Sequence, residues 1–508
     1  MPIPRYSLFV FFSLIAFAAS GQTDGELVDW GPPRDFKVGV YYDFLDFRAD
    51  GSYLLHQRDK KAGDLISYGT DHRVVGTAPG PSRGDDTKAS VHLHIGQANW
   101  LGRFTQADGS QQTDFSAGRI TEDGIEAMPT YGYRGDYSYK SMFVSRTAAD
   151  SPPQVLADAA QNRFYLVNAR MQQEKKEAET VEVGVYDLQF NEVWRRTLTL
   201  NFDDGEGYIV PGDVMMDSTT VVVAAVLPSA KKRDGPTLRL YQVGADEVRH
   251  TDLNFPEGVA LRRWTMALDK ADRSKLTVYG VYAESGKSRK VIGSFRTVLD
   301  RELVKIDQTI TPFEDETLLE SLRESSKAAI LDGTGQGGFR GFDLLRLPNG
   351  HTWMLFEQCY YQPSGAQEAS QRALGSQWYT TDAYIVRYDA SGVMLGTLLL
   401  EKEYPSPSAS AGYYAAIAND RVFLLYNDTE HRKLAKALDK YGGPRTAIQV
   451  LDFTGKQLDR FYLHPEPKRG KRIELGNILR QGDRLLLRGY NKNDMYFGTL
   501  NLLSLPAR

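Results

Sequence analysis

Apolar and polar positions alternate in short runs along most of this chain, each run bounded by Gly, Asn, Asp or Ser clusters. That punctuation predicts β-strands joined by turns. The clearest stretch is Gly341–Leu400. Phe342–Leu347 meets a Pro348-Asn349-Gly350 turn, His351–Gln362 runs into a polar loop, and Ala383–Asp389 meets a Ser391-Gly392 turn before Val393–Leu400. The pattern is four strands joined by a tight turn, a long loop and a tight turn.

After Pro152-Pro153 the unit recurs. Its third strand is anchored on Val183–Asp187, Leu238–Tyr241, Ile292–Phe295, Ile385–Asp389 and Ile448–Asp452, and successive anchors from Tyr186 lie 55, 54, 93 and 63 residues apart. A hairpin precedes each anchor and one more strand follows it. A repeat of four antiparallel strands that buries its faces only against its own copies is a propeller blade. The expected fold class is all-β, a single β-propeller of four-stranded antiparallel blades over 36–508. Six units from Gln154 onward, with one or two in the less regular segment before Arg146, give seven blades, or eight as the alternative.

The last copy, ending at Phe497–Leu503, is one strand short. An N-terminal strand would complete it and remove an open sheet edge, and Val38–Phe44 is the expected donor. Short helical insertions are predicted near 312–331 and 430–441. Thr311-Pro312-Phe313-Glu314 reads as a capping box with proline at the first helical position, and Gly442-Gly443-Pro444 stops the second helix.

The chain opens with Arg5, the apolar run Tyr6–Phe17 and the small residues Ala18-Ala19-Ser20-Gly21. Residues 1–20 therefore read as a signal peptide and 21–35 as a polar leader. The apolar run is too short for a membrane span and no second run approaches one. A periplasmic or secreted protein is expected, with no membrane span. Cys359 is the only cysteine, so no disulfide can form within the chain and stability must come from the core. Without the signal peptide, 60 basic residues stand against 65 acidic ones. That balance lacks the concentrated basic field that nucleic acid requires.

Gly333-x-Gly335-x-x-Gly338 has the letters of a dinucleotide fingerprint, but it follows a helix and precedes a strand, the reverse of a phosphate cradle. His92-x-His94 puts two imidazoles on one strand face with no third ligand at a recognisable spacing. No cofactor and no metal are expected. A Ser nucleophile elbow, a His-Glu-x-x-His motif, a phosphate-binding loop and an EF-hand loop are all missing from the sequence.

In a propeller, the loops from second to third strand and from fourth strand to the next blade emerge on one face. Here those are the long ones, and long loops on a rigid scaffold are where binding concentrates. Their charges offset in sign, so no anionic ligand is predicted. Two clusters stand out. Glu357, Tyr360 and Tyr361 end one second strand beside Trp378 and Asp382, while Asn427 and Asp428 end the next, preceded by Tyr413. Aromatic faces flanked by carboxylates and amides suit sugars or extended peptides. Packing tyrosines and turn-capping Asn or Asp residues are the plainer reading of the same positions.

Around these residues the sequence resembles a family of exported β-propeller-like proteins of Bacteroidetes-type bacteria that has no assigned activity. The resemblance is carried by Phe342-Asp343-Leu344, Pro348-Asn349-Gly350, Glu357-Gln358-Cys359-Tyr360-Tyr361, Thr381-Asp382-Ala383-Tyr384-Ile385-Val386, and Tyr413-Tyr414 with Tyr426-Asn427-Asp428. It implies export and fold rather than chemistry. Cys359 stands where a bulkier residue is expected, and the loop 363–380 is longer than the pattern calls for.

The expected function is a binding or interaction scaffold acting through the long-loop face, its partner an envelope protein or a glycan. The alternative is a glycan hydrolase using carboxylates at the mouth of the central channel. A structural component of an envelope assembly is a third possibility, and the sequence names no catalytic residue.

Overall fold

The structure is a computed structural model. It describes residues 27–505 except 36, 38, 60, 81–86, 96–97, 106–111, 122–123, 135–153, 159–161, 171–178, 190, 201–207, 218, 228–236, 269–272, 286–287, 289, 323–337, 363–376, 403, 407–411, 429–444, 464–471 and 492–493.

Apolar runs and turn residues produce eight antiparallel sheets, each ordered along the chain. Blade 1 is Tyr41–Phe47, Tyr53–Arg58, Gly63–Tyr68 and Val74–Gly80, and blade 2 is Thr87–Ile95, Ala98–Thr105, Gln112–Thr121 and Gly124–Arg134. Blade 3 is Gln154–Asp158, Arg163–Arg170, Glu179–Asp187 and Glu192–Leu200, followed in blade 4 by Tyr208–Asp217, Thr220–Leu227, Thr237–Gly244 and Val248–Leu253. Blade 5 is Ala260–Leu268, Leu276–Ala283, Val291–Leu299 and Lys305–Pro312. Blade 6 is Gly338–Arg346, Thr352–Gln362, Gln377–Tyr388 and Met394–Leu400, with Tyr404–Ser406 added to its third strand. Blade 7 is Tyr413–Ala418, Arg421–Asp428, Arg445–Asp452 and Gln457–Tyr462.

Blade 8 combines the two ends of the chain. Arg472–Ile473 and Leu479–Gln481 form its broken first strand, Arg484–Asn491 and Asp494–Asn501 follow, and Val28–Trp30 with Arg34–Asp35 forms the outermost strand. First strands of successive blades lie beside one another, and blade 1 meets Leu479–Gln481 of blade 8. The eight sheets thus close into a ring with first strands innermost, giving the all-β propeller with the higher of the two expected blade counts. The segment before Arg146 holds two complete units.

Closure differs from the expectation in its donor. Val28, Asp29 and Trp30 pair with Leu500, Thr499 and Gly498. Val28 enters the core between blades 7 and 8 with Leu425, Ile448, Leu485 and Leu500, so part of the polar leader is a strand. Tyr41–Phe47, which overlaps the expected donor, opens blade 1 because Tyr42, Phe44 and Phe47 pack with Tyr53, Leu55 and Phe497. That cluster needs the innermost position, between blades 8 and 1.

The first helical insertion spans 316–322 within the described residues. Asp315 caps it, its Oδ1 accepting the Leu318 N–H at 3.1 Å. Thr311 and Pro312 remain in the fourth strand of blade 5, paired with Ser294 and Gly293, so the expected capping box does not start the helix. Leu318 and Leu322 are fully buried against Tyr279, Val281, Phe356 and Tyr384, at the junction of blades 5 and 6. The second predicted helix and the Gly333-x-Gly335 segment lie outside the described residues.

Hydrophobic clusters fill the wedges between blades. One joins Val222, Leu238 and Leu240 to Leu276, Val278 and Phe295, and another joins Trp353, Leu355 and Ile385 to Val422, Leu424 and Ile417. Each buried side chain of this size contributes about 1.5–3 kcal/mol by leaving water, and all of it depends on the neighbouring blade being present.

Four of the turns between third and fourth strands, in blades 3, 5, 6 and 7, share one device. Asp187, Asp300, Asp389 and Asp452 each accept, through Oδ1, the N–H groups of the residues two and four positions on. Neighbouring blades grip these turns. Arg196 of blade 3 donates to the Ala245 carbonyl in blade 4 at 3.0 Å, and Gln242 of blade 4 donates to the Arg301 carbonyl in blade 5 at 3.1 Å.

Candidate functional site

The second strand of blade 6 runs toward the long-loop face, and Glu357 lies midway along it with the parity of Trp353 and Leu355, facing blade 7. Its carboxylate is sealed from solvent. Lys402, just past the fourth strand, donates from Nζ to Glu357 Oε2 at 2.8 Å, and the Gly412 N–H donates to Oε1 at 2.6 Å. Both side chains of the ion pair are 1% exposed or less. Such a pair is tolerated only where hydrogen bonds satisfy its remaining atoms, as Gly412 does here.

Asp382 extends the network in the other direction. Its Oδ1 accepts the Lys402 N–H at 3.2 Å and its Oδ2 accepts the Ser321 hydroxyl at 2.6 Å. With that proton committed, Ser321 Oγ accepts from the Tyr384 hydroxyl 3.0 Å away. Helix 316–322, the segment around Lys402 and the entry to blade 7 are thereby fastened to blade 6.

Tyr413 opens blade 7 and is buried, its hydroxyl donating to the Leu355 carbonyl at 3.2 Å. Leu355 is paired across the sheet with Asp343 on the innermost strand. A one-residue bulge separates Arg340 and Asp343 and places Asp343 on the same face as Leu355 and Glu357. Asp343 is exposed, yet protein crowds it. Desolvation pushes its carboxyl up, the Glu357 charge adds to this, and a hydrogen bond with Tyr413 opposes it. Burial likewise raises the Tyr413 phenol well above its usual range, with the Asp343 and Glu357 charges adding to the effect.

Of the residues singled out from sequence, the structure brings Glu357, Asp382 and Tyr413 into this one buried network. Asn427 belongs to a second one. Its Nδ2 donates to the Ile473 carbonyl at 2.8 Å and its Oδ1 accepts from Thr446 at 2.6 Å, which latches blade 7 to blade 8. Tyr360 and Tyr361 are paired along the backbone with Tyr379 and Trp378, and Asp428 with Arg445. The side chains of Tyr360, Tyr361, Trp378 and Asp428 lie outside the described residues, as do those of Cys359, His92 and His94.

Lys402, Asp343 and Ser321 of this site escaped the sequence reading. Lys402 sits between two glutamates at a strand end and carries no local signal, because its partner is 45 residues away. Asp343 did leave a signal, a lone carboxylate inside the apolar run Phe342–Leu345. Among the described residues no group of three or more His, Cys, Asp or Glu side chains is placed to hold a metal ion, and no helix is long and apolar enough to cross a membrane.

No protein-family model matches the chain, and no curated protein matches it. Among solved structures it is similar to prolyl oligopeptidase B from Galerina marginata, at 7% identity and a TM-score of 0.42 over 90% of this chain. The chain spans 56% of that protein's length. It is also similar to the β-propeller domain of the Trilobed protease from Pyrococcus furiosus, at 8% identity and a TM-score of 0.35 over 84% of this chain and 98% of the other. The polysaccharide lyase Uly1 aligns at 9% identity and a TM-score of 0.37 over 81% of this chain and 89% of the other. At these levels of overlap the propeller assignment rests on the strand pairing of the chain itself.

Proposed function

We propose that the protein is an exported binding propeller that captures an extended glycan or protein segment on its long-loop face, above blades 6 and 7. The observation that carries this reading is the Glu357–Lys402 pair. A desolvated ion pair is costly and gives little net stability, whereas it fixes geometry. Here it fastens Gly412 and, through Asp382, the helix bearing Ser321 beneath the long-loop face. Binding groups work best when a second layer holds them rigid. Tyr360, Tyr361, Trp378 and Asp428 stand at strand ends above that layer, with the aromatic and carboxylate character that sugars and extended peptides use. Export rests on the signal-peptide pattern of residues 1–20.

The test is a binding screen of labelled protein against glycan and peptide arrays, repeated with a Tyr361→Ala, Asp428→Ala double variant. Loss of binding with an unchanged melting temperature supports the reading, and unchanged binding removes this face. A second reading, glycan hydrolysis, is favoured by Asp343, an exposed carboxyl whose pKa is raised by burial, the direction in which a general acid is tuned. Turnover of a polysaccharide that vanishes in Asp343→Asn would establish it.

A further inference from the structure

We propose that the seam where the two ends of the chain meet in blade 8 is a second binding site, one that takes a short peptide of two or three residues with free amino and carboxyl termini. The site lies at the tight-turn end of the blade, away from the long-loop face, and stands independently of the reading above.

It is a cavity of about 410 Å³ whose lining includes Leu27, Asp29, Arg484, Thr499, Asn501 and Ser504. The strand register explains why polar groups gather there. Asp29 on the outermost strand is opposite Thr499 on the third strand, and Asn501, two residues further on, is opposite Arg484 on the second. Directly opposed residues share a sheet face, and so do residues two apart along a strand. All four side chains therefore stand on the face that carries Phe497 and Leu486 into the core between blades 8 and 1. Along the third strand this face runs Met495, Phe497, Thr499, Asn501, so the apolar filling of the wedge gives way to polar residues toward the tight turns.

Unused hydrogen-bonding capacity in this hollow points to a ligand. Among the described residues the Asp29 carboxylate and the Thr499 hydroxyl hold no hydrogen bond, and no ion pair joins Asp29 to Arg484. Asn501 spends its Oδ1 on the Leu503 N–H at 3.0 Å, which leaves its amide N–H groups. Arg484 donates to the Ala49 carbonyl and its guanidinium lies 5.7 Å from the Phe47 ring centroid, so it is held in place with donors to spare.

The order of the groups sets the ligand class. Asp29 and Arg484 are two strands and two residues apart, about 12 Å between Cα atoms at spacings of about 4.8 and 3.3 Å. An extended peptide advances about 3.3–3.6 Å per residue. With its ammonium at Asp29 and its carboxylate at Arg484, a peptide of two or three residues bridges the interval, and its amide groups fall against Thr499 and Asn501. A ligand of one sign would meet one attractive and one repulsive charge, and a neutral sugar would leave both charges unmatched. The volume is one that small ligands occupy. Leu27 and Asp29 come from one end of the chain and Thr499, Asn501 and Ser504 from the other, so the bound peptide bridges the ring closure and stabilises it by mass action.

The experiment titrates the protein calorimetrically with trialanine, N-acetyl-trialanine, trialanine amide and maltotriose, and follows hydrogen exchange of 28–30 with and without trialanine. The titrations are repeated on Asp29→Asn and Arg484→Gln, with melting temperatures recorded. The expected result is that trialanine binds the wild type and slows exchange of 28–30. Acetylation of the peptide and Asp29→Asn each weaken binding about tenfold or more, and together no further than either alone, because both remove one charge-assisted contact. Amidation and Arg484→Gln form a second such pair. If Arg484→Gln lowers the melting temperature, the Asp29 pair decides alone, since that side chain has no partner to lose. Absence of trialanine binding, equal binding of the acetylated peptide, tighter binding of maltotriose, or trialanine binding that Asp29→Asn leaves intact would each overturn the proposal.

Discussion

Lys402 Nζ lies 2.8 Å from Glu357 Oε2, and neither side chain is open to solvent. Glu357 lies on the second strand of blade 6 and Lys402 just past its fourth strand, and the second carboxylate oxygen reaches the entry to blade 7 through Gly412. Removing one partner strands the other charge in the interior. Glu357→Ala should therefore cost about 3–5 kcal/mol in denaturant unfolding. The paired replacement Glu357→Leu with Lys402→Met should cost much less than Glu357→Ala, because no buried charge is left behind. A double replacement as damaging as the single one would show that the pair is not the source of the effect.

The Arg387 guanidinium of blade 6 lies over Gly455, in the third-to-fourth turn of blade 7. A Cβ at Gly455 would come within 2.6 Å of Arg387 Nη1, and the glycine has φ of +85°. Gly455→Ala should cost about 1–2 kcal/mol from backbone strain alone. Adding Arg387→Ala should relieve only the steric part, since the tip of an arginine moves aside cheaply. Full rescue by the second substitution would show that contact, and not backbone conformation, requires the glycine.

The Asp turns bear on acid stability. Hydrogen bonds from the Ser391 hydroxyl and the Val393 N–H hold the Asp389 carboxyl below its ordinary range, and Ser52 does the same for Asp50. Asp452 is lowered as well, bonds from Thr454 and Lys456 outweighing a desolvation that acts in the opposite sense. A carboxyl lowered in the folded state stabilises it above the unfolded value, and that contribution is lost as pH falls through the folded value. Stability should thus decline on the acid side of the ordinary carboxylate range. Asp389→Asn with Asp452→Asn should flatten that decline in denaturant midpoints measured from neutral pH downward. An unchanged acid limb would assign the decline to other groups.

Much of the fold was legible because its turns are chemically distinct. The anchors ending in Asp187, Asp389 and Asp452 mark third strands correctly, and the aspartate that ends each one is the capping residue of the following turn. That recurring aspartate, with Asp300 as a fourth copy, was a sharper repeat signal than strand order. The closing strand was hidden because Val28–Trp30 is only three residues long and its apolar character is satisfied by Leu500 and Leu425, far along the chain. At the candidate site, Glu357 and Asp382 were visible as carboxylates beside aromatic residues, but both lie in mid-strand and not at strand ends as expected, because the second and third strands of blade 6 pair on to Gln362 and Gln377. Their burial was not visible, because it depends on Lys402 and Ser321, which approach only when the blade and its helix are folded.

The N-terminal strand is held against blade 1 by a clasp that should respond to both sequence and pH. The Arg34 guanidinium sits 4.7 Å from the Tyr68 ring centroid, Tyr68 stacks on Tyr53 at 4.8 Å, and the Tyr53 hydroxyl lies 3.2 Å from His72 Nδ1. His72 is buried, and a Cβ at Gly31 would come within 2.4 Å of its own Cβ, an atom that cannot swing aside. Gly31→Ala should therefore release the strand, read as faster hydrogen exchange of 28–35 while blades 3 to 6 keep their protection. Burial lowers the His72 pKa, a shift that the Asp29 and Asp71 charges oppose and Arg34 reinforces. The neutral imidazole is thus favoured in the folded state, and its contribution, present above the ordinary imidazole range, is lost as pH falls through the folded value. The protection factors of 28–35, with exchange corrected for its intrinsic pH dependence, should fall as pH drops from about 7.5 to about 5 in the wild type. His72→Asn, which keeps a residue tolerant of the left-handed φ of 59° but does not titrate, should remove that pH dependence. An equal loss of protection in His72→Asn would place the acid response elsewhere in the ring.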